Sequence, residues 1–113
     1  MINELVQRLS EGVHEVILED RNESYEDIKS RIANGFIHIK FTQTNGTGTE
    51  LGINVDLNST NLQDVDFNSK IGMLHVEGTT NLNYNNVRCI ADINLSNKIG
   101  KGYLRIIKEE ISN

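Results

Sequence analysis

The sequence predicts an α+β fold in which two N-terminal helices pack on one face of an antiparallel meander sheet of about five strands. Apolar residues recur at helical spacing up to position 34, and from Phe36 onward their period changes to two. The chain has 113 residues, which is the usual size of one domain. We therefore expect a single α+β domain over residues 1–113.

The first apolar stripe covers residues 2–17 and has the spacing of an amphipathic helix. Gly12 interrupts it and leaves two interpretations. The favoured one is a helix throughout. The other is a helix that ends near Glu11, followed by a strand over residues 13–18, because glycine often terminates a helix.

A second, shorter stripe follows the first. Ser24 and Asp27 resemble a capping box with Asp in place of the usual Glu. Asn34 and Gly35 both tolerate the left-handed conformation in which many helices end. These signals predict a helix over residues 25–34.

The rest of the chain alternates between apolar and polar residues, which predicts strands. Residues 44–49 are asparagine, glycine and threonine, which are frequent in turns, and they predict a hairpin between the first two strands. A tight turn is predicted at Gly78 and Thr79, and Asn85 with Asn86 predicts a bend in the long strand that follows. The predicted strands cover residues 36–41, 51–57, 71–77, 80–95 and 103–107.

One face of the predicted sheet offers the apolar surface that the helices must cover. Cys89 lies in this face. It is the only cysteine, so it cannot form an internal disulfide, and we expect a small buried hydrophobe. The predicted core of the sheet consists of Ile37, Ile39, Phe41, Leu51, Ile53, Val55, Val76, Val87, Cys89, Ala91, Ile93, Leu104 and Ile106.

The charge balance argues against nucleic-acid binding. The chain has 16 acidic and 11 basic residues and a net charge of −5, without a basic stripe to bind a phosphate backbone. The N-terminus has no basic segment followed by an apolar run, and no stretch has membrane-spanning length. We expect a cytoplasmic protein with neither a nucleic-acid nor a membrane partner.

No motif predicts a cofactor or a metal. Residues 46–49 lack the Gly-Lys-Ser/Thr ending of a phosphate-binding loop. The segment that begins at Asp56 has the oxygen spacing of a calcium loop, but Asn61 replaces its glycine and Phe67 its glutamate. The 3 histidines are too far apart for a local metal motif.

The opposite face of the predicted sheet is mixed in polarity. With the predicted turn, His75 falls opposite Leu82, and Met73 falls opposite Tyr84. The other predicted cross-strand pairs are Asp92 with Arg105, Asn94 with Tyr103, and His38 with Asp56 or Asn54.

Three interpretations of this mixed face compete. It is a solvated surface, a surface for a partner protein or a second copy, or a concave ligand or active site. As a binding surface it includes Met73, His75, Leu82, Tyr84, Ile90, Tyr103 and Arg105. As an acid–base site it includes His38, His75, Glu77 and Asp92.

We expect from these observations a non-catalytic accessory or interaction protein that binds a protein partner, or a second copy of itself as a homodimer. The contact uses the mixed face or an edge strand, for which residues 36–43 and 103–107 are the candidates. The alternative is a small enzyme or small-ligand-binding protein with a histidine and carboxylate site on the same face.

Overall fold

The computed structural model of the protein describes residues 3–19, 24–44, 46 and 48–107. Ile2, Asn45 and Thr47, which belong to the predicted first stripe and first connector, lie outside these residues. The helices and strands in chain order are α1 (Glu4–Leu9), β1 (His14–Leu18), α2 (Tyr25–Ala33), β2 (Phe36–Phe41), β3 (Thr49–Val55), β4 (Val65–Asp66), β5 (Ile71–Leu82), β6 (Asn85–Asn94) and β7 (Ile99–Ile106).

Six of the strands close into an antiparallel barrel. Their order is β1-β2-β3-β5-β6-β7, and β1 pairs with β7 to complete the ring. The short β4 pairs with β5 outside this ring. The predicted α+β fold, with two helices on one face of an open meander of about five strands, is therefore wrong. Pairing of β3 with β5 abolishes the two edges that an open sheet has.

The first apolar stripe is divided between a helix and a strand. Helix α1 ends at Leu9, Gly12 has a φ of 71°, and β1 begins at His14. The favoured prediction of one long helix is wrong, and the alternative of a helix followed by a strand is confirmed. The reason is tertiary, because β1 pairs with β2 on one side and β7 on the other. Val16 and Leu18 then point into the barrel with period two.

Helix α2 confirms the prediction made from its end signals. The Ser24 side chain accepts a hydrogen bond from the Asp27 backbone N–H at 3.1 Å, and the helix ends before Asn34. Ile28 and Ile32, one turn apart, are fully buried. The helix crosses from β1 to β2 and contributes these two side chains to the same core as the barrel.

The barrel is filled by side chains. Every residue of the predicted sheet core is buried except Val55 and Ile106, which are half-buried against the same cluster. The two helices add Val6, Leu9, Ile28 and Ile32. Cys89 lies inside the barrel, where burial raises the pKa of its thiol to about 12. This thiol stays protonated and packs as a hydrophobe, as predicted.

The β5–β6 hairpin turns later than predicted. Strand β5 continues through Gly78 to Leu82, and the turn lies at Asn83 and Tyr84. Gly78 marks a close approach of backbones, because an added Cβ would overlap the backbone oxygen of Asn54 on β3. The predicted turn at Gly78 and Thr79, and the bend at residues 85–86, are therefore wrong.

Neither predicted edge segment is the edge of an open sheet. Strand β2 lies between β1 and β3, and β7 lies between β1 and β6. The ladders with β1 cover only part of each strand, and α2 packs beside β2 while α1 packs beside β7. Partner binding by strand addition at residues 36–43 or 103–107 would have to displace these neighbours.

We expect Gly78→Ala to lower the free energy of unfolding by about 1–3 kcal/mol, since the new Cβ meets backbone that cannot move without opening the β3–β5 contact. Urea denaturation measures the loss. Gly52→Ala is the matched control, because its Cβ meets side chains rather than backbone, and its closest contact is the end of the Phe36 ring, which can rotate. Equal losses in the two variants would contradict the role of Gly78 in closure.

Candidate functional site

Five charged or titratable side chains form a continuous chain of contacts on the outside of the barrel. On β5, His75 and Glu77 alternate with the buried Leu74 and Val76 and therefore point outward. On β6, Arg88 and Asp92 point to the same side. Asp56 follows the end of β3. We call the set Asp56, His75, Glu77, Arg88 and Asp92 the charge network.

The distances within the charge network are short. His75 Nδ1 lies 2.7 Å from Asp92 Oδ1, and His75 Nε2 lies 2.7 Å from Glu77 Oε2. Arg88 Nε donates to Glu77 Oε1 at 3.1 Å, and Arg88 Nη2 donates to Asp56 Oδ2 at 2.8 Å. The side chains of Arg88 and Glu77 are only 18% and 21% exposed, so solvent screens their contact less than it screens a surface pair.

The backbone beside the charge network ties the loop after β3 to the edge of β5. The Asp56 N–H donates to the Glu77 carbonyl at 2.8 Å, and the Asn61 N–H donates to the His75 carbonyl at 2.9 Å. Between them, the Thr60 hydroxyl donates to the Asp56 carbonyl at 2.8 Å. The two bonds from backbone N–H groups satisfy the carbonyls of Glu77 and His75 on β5, beyond the point where the β3–β5 ladder ends.

The ionised carboxylates raise the pKa of His75, chiefly through the hydrogen bond that His75 donates to Glu77 and further through Asp92, against the opposing effect of burial. The pKa of Glu77 is lowered, first by its hydrogen bond with His75 and then by Arg88. The hydrogen bond with Arg88 lowers the pKa of Asp56. All three directions favour the charged forms of these groups.

The geometry of His75 favours an imidazolium between two ionised carboxylates. A neutral imidazole carries one N–H and cannot donate to two carboxylates at 2.7 Å. With both ring nitrogens bonded to carboxylates, neither nitrogen is free to accept a proton from a substrate. The arrangement therefore pairs charges and joins strands, and His75 is not a free base within it.

The structure brings together three of the four residues of the predicted acid–base site. His75, Glu77 and Asp92 are in contact, whereas His38 is not part of the group. His38 lies on β2 opposite Gly52, with its ring 5.0 Å from that of Phe36 in an edge-on contact. Its Nδ1 is buried without a hydrogen-bond partner among the described residues.

The observed registers correct the predicted cross-strand pairs. The later turn of the β5–β6 hairpin changes the partners of Met73 and His75. The β6–β7 register changes those of Asp92 and Asn94, and the β2–β3 register changes that of His38. The predicted partners of Met73, His75, Asp92, Asn94 and His38 are all wrong. The observed pairs are Met73 with Asn94, His75 with Asp92, Ile90 with Tyr103, Arg88 with Arg105, Asn94 with Ile99, Asp92 with Lys101, and His38 with Gly52.

Five residues of the predicted binding surface share the outer side of β5, β6 and β7, and two do not. The five are Met73, His75, Ile90, Tyr103 and Arg105. Leu82 packs against the core, and Tyr84 lies at the hairpin tip. Sequence reasoning missed Arg88, although its alternation with buried Val87 and Cys89 placed it on this side.

Two surface clefts flank the β5–β6 hairpin. One, of about 590 Å³, lies between α1 and the β2–β3 connection and is lined in part by Asn3, Arg8, Thr44, Thr49 and Asn83. The other, of about 390 Å³, is lined by Asn54, Thr79, Thr80, Asn81, Asn86 and Ile107. No member of the charge network lines either cleft.

Within the described part of the chain, no group of three histidine, cysteine or carboxylate side chains is arranged to hold a metal ion. Neither α1 nor α2 has the length and apolar character needed to cross a membrane. A scan against models of protein families finds no match to this chain, and a search of curated proteins finds no significant relative.

We expect the free energy of unfolding to fall more steeply between about pH 6 and pH 8 in the wild type than in His75→Gln. The pKa of His75 is higher in the folded protein than in the unfolded chain, where it is about 6.5. The contribution of His75 to the free energy of unfolding is therefore complete below about pH 6.5. It is lost as the pH rises through the pKa of the folded protein. The contribution of Glu77 to the free energy of unfolding has the opposite pH dependence. It is complete above about pH 4.5 and is lost as the pH falls through the lowered pKa of the folded protein.

Urea denaturation at a series of pH values measures this difference. His14→Gln, which removes an imidazole outside the charge network, is the control for the loss of a histidine. The charge network is most stabilising between about pH 4.5 and 6.5. If the free energies of unfolding of the wild type and His75→Gln change equally with pH above pH 6, the assignment of His75 as an imidazolium is contradicted.

We also expect Arg88→Met to lower the free energy of unfolding by about 1–3 kcal/mol, because it leaves Asp56 without its cation and Glu77 with His75 alone. Arg105→Met, at the exposed residue that pairs with Arg88 across the sheet, should change stability by less than about 0.5 kcal/mol. Urea denaturation at neutral pH compares them. Equal effects would show that Arg88 acts only as a surface residue.

Proposed function

We propose that this protein is a non-catalytic interaction protein that binds a protein partner through the tip of the β5–β6 hairpin and the adjacent outer side of the barrel. The observation that carries the proposal is Tyr84. Its side chain is 98% exposed at the hairpin tip, and its backbone has a φ of 69°.

The conformation of Tyr84 is costly for a tyrosine. Asn83 and Tyr84 both have positive φ, as a two-residue type I′ turn requires, and glycine is preferred at the second position. The left-handed conformation costs a residue with a Cβ about 1–2 kcal/mol. A large ring held there without contacts in the barrel does nothing for folding. Contact of the ring with a partner protein accounts for a tyrosine at a position where glycine is preferred.

The composition of the hairpin also supports recognition of a protein. Residues 78–87 contain no charged side chain, although 24% of the whole chain is charged. Four asparagines and two threonines make up most of this segment, and asparagine and tyrosine are among the residues that are frequent in antibody binding loops. Tyrosine supplies contact area at low cost in conformational entropy, and asparagine supplies adaptable hydrogen bonds.

The enzyme alternative has less support. Both ring nitrogens of His75 are bonded to carboxylates, and His38 lies outside the group. A closed barrel also favours the hairpin and the outer side over an edge strand as the contact surface.

A second copy of the chain is another candidate partner, and exposed apolar side chains favour it. Met73 and Ile99 are 51% and 45% exposed and flank Asn94 on the strand between them. Such a patch suits a homodimer contact. Sedimentation of the purified chain distinguishes a monomer from a dimer.

We expect Tyr84→Gly to weaken partner binding at least tenfold and to leave the free energy of unfolding unchanged or raised by up to about 1 kcal/mol. The variant removes the ring and places at the turn the residue that positive φ favours. Quantitative pull-down from the native host measures binding, and urea denaturation measures stability.

Leu57→Ser is the matched control, because Leu57 is an apolar side chain, 49% exposed, in the loop after β3. This variant should retain the captured partner. If Tyr84→Gly captures the same partner as strongly as the wild type does, Tyr84 is not the anchor and the proposal fails.

A further inference from the structure

The cleft between β3, β5 and β6 is built from neutral hydrogen-bonding groups. Its lining consists of Asn54, Thr79, Thr80, Asn81, Asn86 and Ile107, and we call it the amide groove. Its volume of about 390 Å³ lies in the range of small-molecule sites. Tyr84 does not line it, so the amide groove is separate from the anchor of the proposed protein contact.

Two of the amides in the groove are held in a defined orientation. Asn81 Nδ2 donates to Asn86 Oδ1 at 3.0 Å across the hairpin, where the two residues form a cross-strand pair. Asn81 is exposed, and this bond uses its amide nitrogen rather than its side-chain oxygen. The side chains of Asn54, Thr79 and Thr80 have no hydrogen bond to any described residue, so their donors and acceptors are available.

The absence of charge in the lining excludes several ligand classes. None of the residues that line the amide groove is charged. The nearby Arg88 is occupied by Asp56 and Glu77. Among the residues that the structure describes, the lining therefore offers no cation to neutralise a phosphate, a nucleotide or an acidic peptide.

Beyond Thr79 the strand beneath the groove is paired on one side only. Asn54 with Thr79 is the last pair of the β3–β5 ladder, and Asn81 pairs with Asn86 on β6. A peptide that adds beside β5 is therefore a competing ligand that the experiment must distinguish. A purely apolar ligand would meet one aliphatic side chain, Ile107, which is 39% exposed.

We propose that the amide groove is a binding site for a neutral saccharide of one or two rings. Sugar hydroxyls both donate and accept hydrogen bonds, as amides and threonine hydroxyls do. The C–H face of a sugar ring packs against an aliphatic side chain, which Ile107 supplies. Because the groove is open and its contacts are few, we expect a dissociation constant on the order of 1–10 mM.

The test is a titration of the full ¹⁵N-labelled chain followed by NMR, with glucose, galactose, N-acetylglucosamine and cellobiose as separate probes. We expect at least one of them to shift the side-chain amide signals of Asn54, Asn81 and Asn86 in a saturable manner. Asn81→Ala should weaken that binding about fivefold. Asn58→Ala, which removes an exposed amide outside the groove, should leave it unchanged.

Inorganic phosphate and N-acetyl-triglycine amide are the competing probes. The proposal is overturned if none of the four sugars gives a saturable shift at these amides, or if Asn81→Ala binds as the wild type does. Saturable binding of phosphate or of the peptide in the groove, instead of a sugar, also overturns it. Tyr84→Gly should retain sugar binding, so failure of the groove and failure of the protein contact are distinguishable.

Discussion

Closure of the barrel between β3 and β5 is the constraint on which the rest of the structure depends. Its ladder contains only two residue pairs, Asn54 with Thr79 and Val55 with Gly78. The backbones approach so closely there that only glycine fits at position 78. The contact turns an open sheet into a barrel whose interior side chains form one core with those of both helices.

The charge network continues this closure after the ladder ends. The chain leaves β3 at Asp56, and the Arg88 guanidinium holds that carboxylate against β6 while the Asp56 N–H bonds to β5. Charge-assisted bonds thus fasten the segment that would otherwise leave the edge of β5 unpaired. Because His75 joins the same network as an imidazolium, the stability of this junction depends on pH.

The outer side of β5 and β6 has two parts with different chemistry. Near the middle of the hairpin, the charges satisfy one another and offer little to a partner. Toward the tip, the side chains are neutral, several hydrogen-bonding groups are unused, and Tyr84 is exposed. Closure produces both parts, because it places Asp56 beside Glu77 and Asn54 beside Thr79. The proposed contacts therefore lie on the part that carries neutral side chains, including those of Thr79 and Thr80.

Local signals in the sequence by themselves determined helix α2, the alternation of β2 and the buried state of Cys89, because capping and periodicity act over a few residues. They also placed His75, Glu77 and Asp92 on one outer side. Only the tertiary structure decided that β1 is a strand, that Gly78 lies within one, and that Arg88 reaches Asp56. Each of these depends on which backbones pair across long separations, and the pairing energy comes from partners that the local sequence does not contain.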